Sequence, residues 1–199
     1  PIWDELRMWL DRNRHATPPQ SLTGRAINYL ADSGVNSLYA ILMNLGGDGQ
    51  DVFPFLDPTS NAFDSVTHFD VGRLEQWNRV FTHAQSRGVL CEMVLAEMEP
   101  ANATWLGAGM TDQRRLFLMT MAAHFSHHPG VRWILCEENG PEPVGVFTVA
   151  QLSEFGNELR KWSRFRHPIA VHTFADDRTI FQQILASSSD SSWLSSASL

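Results

Sequence analysis

The sequence predicts an α/β fold, part of a (β/α)8 TIM-type barrel, on three observations. Apolar runs of strand length alternate four times with segments of helical period, and no run of hairpin signals interrupts them. That order calls for parallel strands joined by right-handed helical crossovers, as in a doubly wound sheet or a barrel. The glycines after the first run, Gly46, Gly47 and Gly49, lead into a polar stretch from Gln50 to Val71 instead of a helix, which removes the phosphate cradle a dinucleotide fold needs at its first turn. A complete barrel takes about 250 residues and eight strands. Four strands are visible in 199 residues, so the chain is expected to hold only part of one.

The elements follow in order. Between Ser21 and Ser33, Leu22, Ala26, Ile27, Leu30 and Ala31 recur at helical spacing and Gly34 follows as a stop. Val35 to Asn44 contains the near-continuous apolar run Leu38 to Met43, the mark of a strand buried on both faces. After the Gln50 to Val71 loop, Leu74, Trp77, Val80, Phe81 and Ala84 keep the 3.6-residue period until Gly88. Val89 to Glu97 is the second strand, Asp112 to Phe125 a helix, and Val131 to Cys136 the third strand. Thr148 to Trp162 is a helix, Ile169 to Thr173 the fourth strand and Arg178 to Ala186 the last helix. Residues 1–186 thus read as one partial barrel domain, and 187–199 as a Ser-rich tail without a clear element.

Composition narrows the function. With 43% hydrophobic residues the chain can build a core, which excludes a disordered or fibrous class. Lys and Arg total 15 against 22 Asp and Glu, a net charge of -7, so no basic stripe is available for nucleic acid or an anionic membrane. Apolar runs such as Val89 to Ala96 are broken by Glu92 and fall far short of the roughly 20 residues a membrane helix needs, so no membrane insertion is expected. The chain starts at Pro1 with no basic-then-apolar leader, and its native start is expected to be missing or processed away. Seven Trp and twelve Phe can fill a core or stack on sugar faces. Cys91 and Cys136 stand at opposite ends of neighbouring strands, too far apart for a disulfide, and are expected to be free buried thiols.

In parallel α/β folds the reacting groups stand at the carboxyl ends of the strands. There the sequence places Asn44, Gly47 and Asp48, then Glu97 and Glu99, then Glu137, Glu138 and Asn139, then His172 and Thr173. Carboxylates, an amide and an imidazole thus converge on one rim. Crowded carboxylates titrate apart, giving the acid and the base or nucleophile that glycoside hydrolysis requires. Adjacent side chains diverge, so one of Glu137 and Glu138 should enter the cleft while the other bonds to the wall; both could instead be a solvated loop edge.

Around these candidates several readings stay open. Glu97 and Glu99 could bind hydroxyls, tune the acid or form a loop salt bridge; Asn44 and Asp48 could bind substrate or cap their own turn. Trp105 is a candidate stacking platform, whereas Trp77 and Trp162 belong to core. His172 could touch sugar, orient Glu138 or serve the structure. His124, His127 and His128 invite a metal, but they end a helix ahead of a strand, on the stability face of a barrel. No cofactor and no metal is called for.

The stretches Gly24 to Phe55, Phe69 to Glu99, His124 to Gly140 and Arg166 to Thr173, with their motifs "NLGGDG", "LEQW", "LAEME" and "WILCEENG", resemble a bacterial family of glycoside-hydrolase-like TIM-barrel proteins. Its members are secreted and often carry a domain of unknown function before the barrel and a collagen-binding-like domain after it. The match covers most of residues 22 to 173. It departs from the family pattern at Ala96, Ile134 and Cys136, where the family has Gln, Asn and Gly. The resemblance implies that Val35 to Asn44 is the second barrel strand, followed by the third to fifth, with the first and the sixth to eighth outside this chain. It implies Glu138 as the acid/base, with Glu137 where the broader retaining superfamily has Asn. The nucleophile would stand on the seventh strand and is not named.

The resulting expectation is a partial barrel from a glycoside hydrolase, secreted or periplasmic, acting on a poly- or oligosaccharide and inactive as an isolated piece. Its partners would be a carbohydrate substrate, the missing barrel half and possible flanking β-domains. Two rivals remain: a noncatalytic carbohydrate-binding barrel, and a metal-dependent hydrolase.

Overall fold

A computed structural model describes residues 22–42, 54–56, 68–98, 106–187 and 190–198. Within them the chain alternates helix and strand. It runs through α1 (Leu22–Asp32), β1 (Ser37–Ile41), α2 (Val71–Ser86), β2 (Leu90–Val94), α3 (Asp112–Phe125) and β3 (Val131–Ile134). It continues through α4 (Val149–Trp162), β4 (Ile169–His172), α5 (Thr179–Ala186) and β5 (Ser196–Ser198). The described strands form one parallel sheet in sequence order, β1-β2-β3-β4-β5. Each neighbour follows through a helical crossover, which is the local rule of a (β/α) barrel wall.

Local chemistry sets the ends of the helices. The Asp70 carboxylate accepts the Arg73 amide of α2, and the Thr111 hydroxyl accepts the Arg114 amide of α3. Thr148 and Gln151 form a reciprocal capping box at the start of α4. Gly34 and Gly88, the stops read from the sequence after α1 and α2, both take positive φ, 85° and 76°, a conformation only glycine adopts without steric cost.

Strand parity then divides the side chains between two faces. On the convex face Leu38, Ala40, Cys91, Met93, Trp133, Ile169 and Val171 are buried against the helices. There they meet Trp77 and Phe81 of α2, Phe117, Met121 and Phe125 of α3, Leu152, Phe155 and Leu159 of α4, and Ile180 and Ile184 of α5. On the concave face Val94, Ile134 and Ala170 form a small second cluster, with Tyr39 and Ile41 packed beside it. The first strand is therefore not buried on both faces as its apolar run predicts. Its burial alternates, because Tyr39 and Ile41 line the barrel interior and keep partial exposure.

The tail also departs from the sequence reading. Ser196–Ser198 pairs in parallel with β4, with Ala170 opposite Ser196 and His172 opposite Ser198. The strand carries no apolar run, since its neighbours hold it instead: Trp193 is fully buried against Gly156 of α4, and the Arg132 guanidinium donates to Ala197 O at 2.7 Å. The chain thus extends one strand beyond the four visible in the sequence. A second correction concerns Trp162, which is 45% exposed at the last turn of α4; Trp77 is core, as expected.

Candidate functional site

Chain order brings three strand ends to one rim. The Glu137 amide donates to Ala96 O, joining the segments after β3 and β2, while the His172 amide donates to Cys136 O and the Asn139 amide to His172 O, joining those after β3 and β4. These backbone bonds fix Glu97, Glu137, Glu138 and His172 above the same end of neighbouring parallel strands. Of the residues singled out in the sequence, Asn44, Asp48, Glu99 and Trp105 lie outside the described residues.

The two consecutive carboxylates part company at the backbone. Glu137 is half-buried, its Oε1 on the side of His172. Glu138 has φ of 50°, in the left-handed region that a residue with a β-carbon enters at a cost, and its side chain is exposed. The backbone thus changes hand at the second of the two carboxylates, which leave the strand end in different surroundings.

Glu137 belongs to a cluster that crosses the concave face. Its Oε1 lies 3.8 Å from Nδ1 of His172, and the same nitrogen is 3.4 Å from the Tyr39 hydroxyl, which reaches from β1 to β4 over the two strands between. The Tyr39 and His172 rings meet edge to face. Burial, with the nearby Glu137 carboxylate second, pushes the Tyr39 phenol far above its ordinary range, so it stays protonated. Burial holds the His172 imidazole below its usual value, against the opposing pull of Glu138 and Glu92, so the ring is mainly neutral at pH 7. Deeper in the barrel Arg132 pairs with Glu92, its register partner on β2, at 3.0 Å.

Tyr39, Glu92 and Arg132 are the members that sequence reasoning missed. Tyr39 sits inside an apolar run and reads there as strand filler. A usable signal existed in Glu92 and Arg132, because a charge within a strand that should be buried needs a partner, and each supplies the other.

Glu97 is buried at the end of β2. Asn139 is fully buried as well; its amide donates to Gly140 O and Phe147 O and accepts the Phe147 amide, each at 3.0 Å, so it holds the loop after β3 in shape rather than facing the rim. At the opposite end His128 is buried with Nε2 on Asn78 Oδ1 at 3.0 Å, and His167 bonds Ser126 O at 2.8 Å. Among the described residues no group of three or more His, Cys, Asp or Glu is arranged to hold a metal ion. Cys91 and Cys136 are buried and not joined in a disulfide, and burial raises the Cys91 thiol to about 12. A cavity of about 590 Å³ lies away from the rim, on the helical side, lined by Met110, Arg115, Ser153, Glu158, Lys161 and Asp190.

No protein-family model matches the chain, and no curated protein matches it. Solved structures do. The chain superposes on a structure titled "putative glycoside hydrolase" from Bacteroides vulgatus with a TM-score of 0.61 at 14% identity, over 82% of this chain and 34% of that one. A glycoside hydrolase family 5 protein of the same species gives 0.57 at 14% identity over 78% and 32%, and an endo-1,4-beta-mannanase from Rhizomucor miehei 0.58 at 16% over 84% and 60%. The chain spans about a third of the length of the first two. These likenesses establish the fold, a partial TIM barrel of the kind that glycoside hydrolases use. Among the described residues no helix is long and apolar enough to cross a membrane.

Proposed function

We propose that the chain is the part of a secreted or periplasmic glycoside hydrolase that carries the acid/base carboxylate, and that its rim binds a poly- or oligosaccharide. The observation that carries this reading is the meeting of Glu137, Glu138 and His172 at the carboxyl ends of adjacent parallel strands, where barrels of this kind keep their chemistry. In this reading Glu138, exposed and in the left-handed region, gives a proton to the glycosidic oxygen as the bond to the anomeric carbon breaks. Glu137, beside His172, supplies negative charge next to it and orients that ring. Glu97, Asn44, Asp48, Glu99 and Trp105 complete the sugar contacts, and the remaining barrel strands of the parent protein supply the second carboxylate.

A glycan panel separates hydrolysis from simple binding. The full-length protein, incubated with polysaccharides and aryl glycosides, is expected to release reducing ends or the aryl alcohol in proportion to time. Saturable glycan binding with no product would replace this reading with a carbohydrate-binding barrel.

A further inference from the structure

A regular parallel ladder keeps both strands in step, with evenly spaced bonds. β3 and β4 begin that way, the Trp133 amide donating to Pro168 O and the Leu135 amide to Ala170 O, each at 2.9 Å. The next carbonyl in the series is that of His172, and the ladder calls for the Glu137 amide. That amide instead turns to Ala96 O on the other side, at 2.9 Å, and His172 O accepts the Asn139 amide at 3.0 Å. The His172 amide in turn donates to Cys136 O. Glu137 and Glu138 therefore stand together opposite one residue, His172, which makes the end of β3 a β-bulge.

The bulge changes which way the side chains go. In an unbroken strand neighbours alternate between faces, so Cys136 would follow Arg132 and Ile134 onto the concave side and Glu137 would follow Trp133 and Leu135 toward the helices. The reverse holds: Cys136 packs in the cluster of Trp133 and Leu135, and Glu137 Oε1 lies 3.8 Å from Nδ1 of His172. Glu138, with φ of 50°, is the left-handed residue of the bulge. The residue after it closes the structure. Asn139 is fully buried, and its side chain bonds Gly140 O, Phe147 O and the Phe147 amide while its own N–H holds His172 O. Gly145 packs against it so closely that a β-carbon there would stand 2.4 Å from Asn139 O and 2.7 Å from Asn139 Nδ2.

We infer that Asn139 is a positioning residue, whose buried amide locks a bulge that delivers two consecutive carboxylates, Glu137 and Glu138, to one rim instead of sending one of them among the helices. It acts at the rim only through the backbone of Glu138. Hydrolysis at that rim rests on the proposed function; the bulge and its latch do not.

NMR on the ligand-free 199-residue protein tests the inference. A left-handed residue brings its amide proton close to its own α-proton, so Glu138 is expected to give a strong intraresidue cross-peak between them, weakened in Asn139→Ala. Left-handed backbone also favours glycine: in urea unfolding Glu138→Gly is expected to have a folding equilibrium constant roughly three- to tenfold above that of Glu138→Ala, a ratio that falls toward one when Asn139→Ala is added. Where Asn139→Ala does not fold, Gly145→Ala, whose β-carbon would displace the same amide, takes its place. A weak Glu138 cross-peak in wild type, a Glu138→Gly variant no more stable than Glu138→Ala, or a ratio that survives loss of the latch overturns the inference. Any of these leaves the hydrolase reading intact, and absence of turnover in the full-length protein leaves the bulge intact.

Discussion

At the residue scale, backbone bonds between the segments after β3 and β4 bring Glu138 and His172 to one rim. Glu138 and His172 are legible because their place at strand ends follows from chain order alone. Tyr39 is not, since its role depends on which face of β1 turns inward, and an apolar run hides that parity. A second group of histidines carries a consequence for stability. His128 is pushed down to about 4, first by burial and then by the charges His127 and His167 acquire when protonated. A base whose folded value is depressed is stabilising only while it stays neutral. Between its ordinary value of 6.5 and about 4 the unfolded chain binds a proton that the folded chain does not, so stability falls as pH drops through that window and levels off below it. His124, also lowered by burial, acts in the same direction. Urea midpoints measured at about pH 7 and about pH 4.5 are expected to differ clearly in wild type and less in His128→Gln. Equal pH dependence in the two proteins would contradict the assignment.

At the scale of elements, periodicity located every helix among the described residues and the four strands of the reading. The fifth strand escaped for a physical reason. Ser196–Ser198 has none of the β-branched or aromatic residues that mark strands, and is held from outside by Trp193, by Arg132, and by the Ser195 amide on Ile169 O. The anchor is Gly156 in the middle of α4. A β-carbon there would stand 2.4 Å from Trp193 Cδ2, inside a fully buried indole. Gly to Ala within a helix ordinarily gains about 1 kcal/mol, whereas forcing volume into a packed site costs about 1–3 kcal/mol. The clash wins, so Gly156→Ala is expected to destabilise the protein in urea unfolding. It is also expected to speed hydrogen exchange at the Ser195 and Thr173 amides, which bond across β4 and β5. A stabilised Gly156→Ala variant would show that the tail is not held in this way.

For the whole molecule, the alternation of strand and helix was enough to give a parallel sheet, and the glycines that open no helix were enough to favour the barrel over the dinucleotide fold. What the order of elements could not reveal is how the concave face is furnished. Its apolar layer of Val94, Ile134 and Ala170 lies beneath a polar crossing of Tyr39, Glu137 and His172, with the Glu92–Arg132 pair inside the wall. Side chains far apart in sequence meet there only because the strands curve them together. The proposed role of Glu138 sets its chemistry beside that crossing. Its most direct test is the rate of aryl glycoside hydrolysis by the full-length protein, wild type against Glu138→Gln, with circular dichroism showing both folded. Removal of a general acid costs roughly 10²–10⁴-fold, and a loss of that size or larger is the expected result; undiminished turnover in Glu138→Gln would contradict the account.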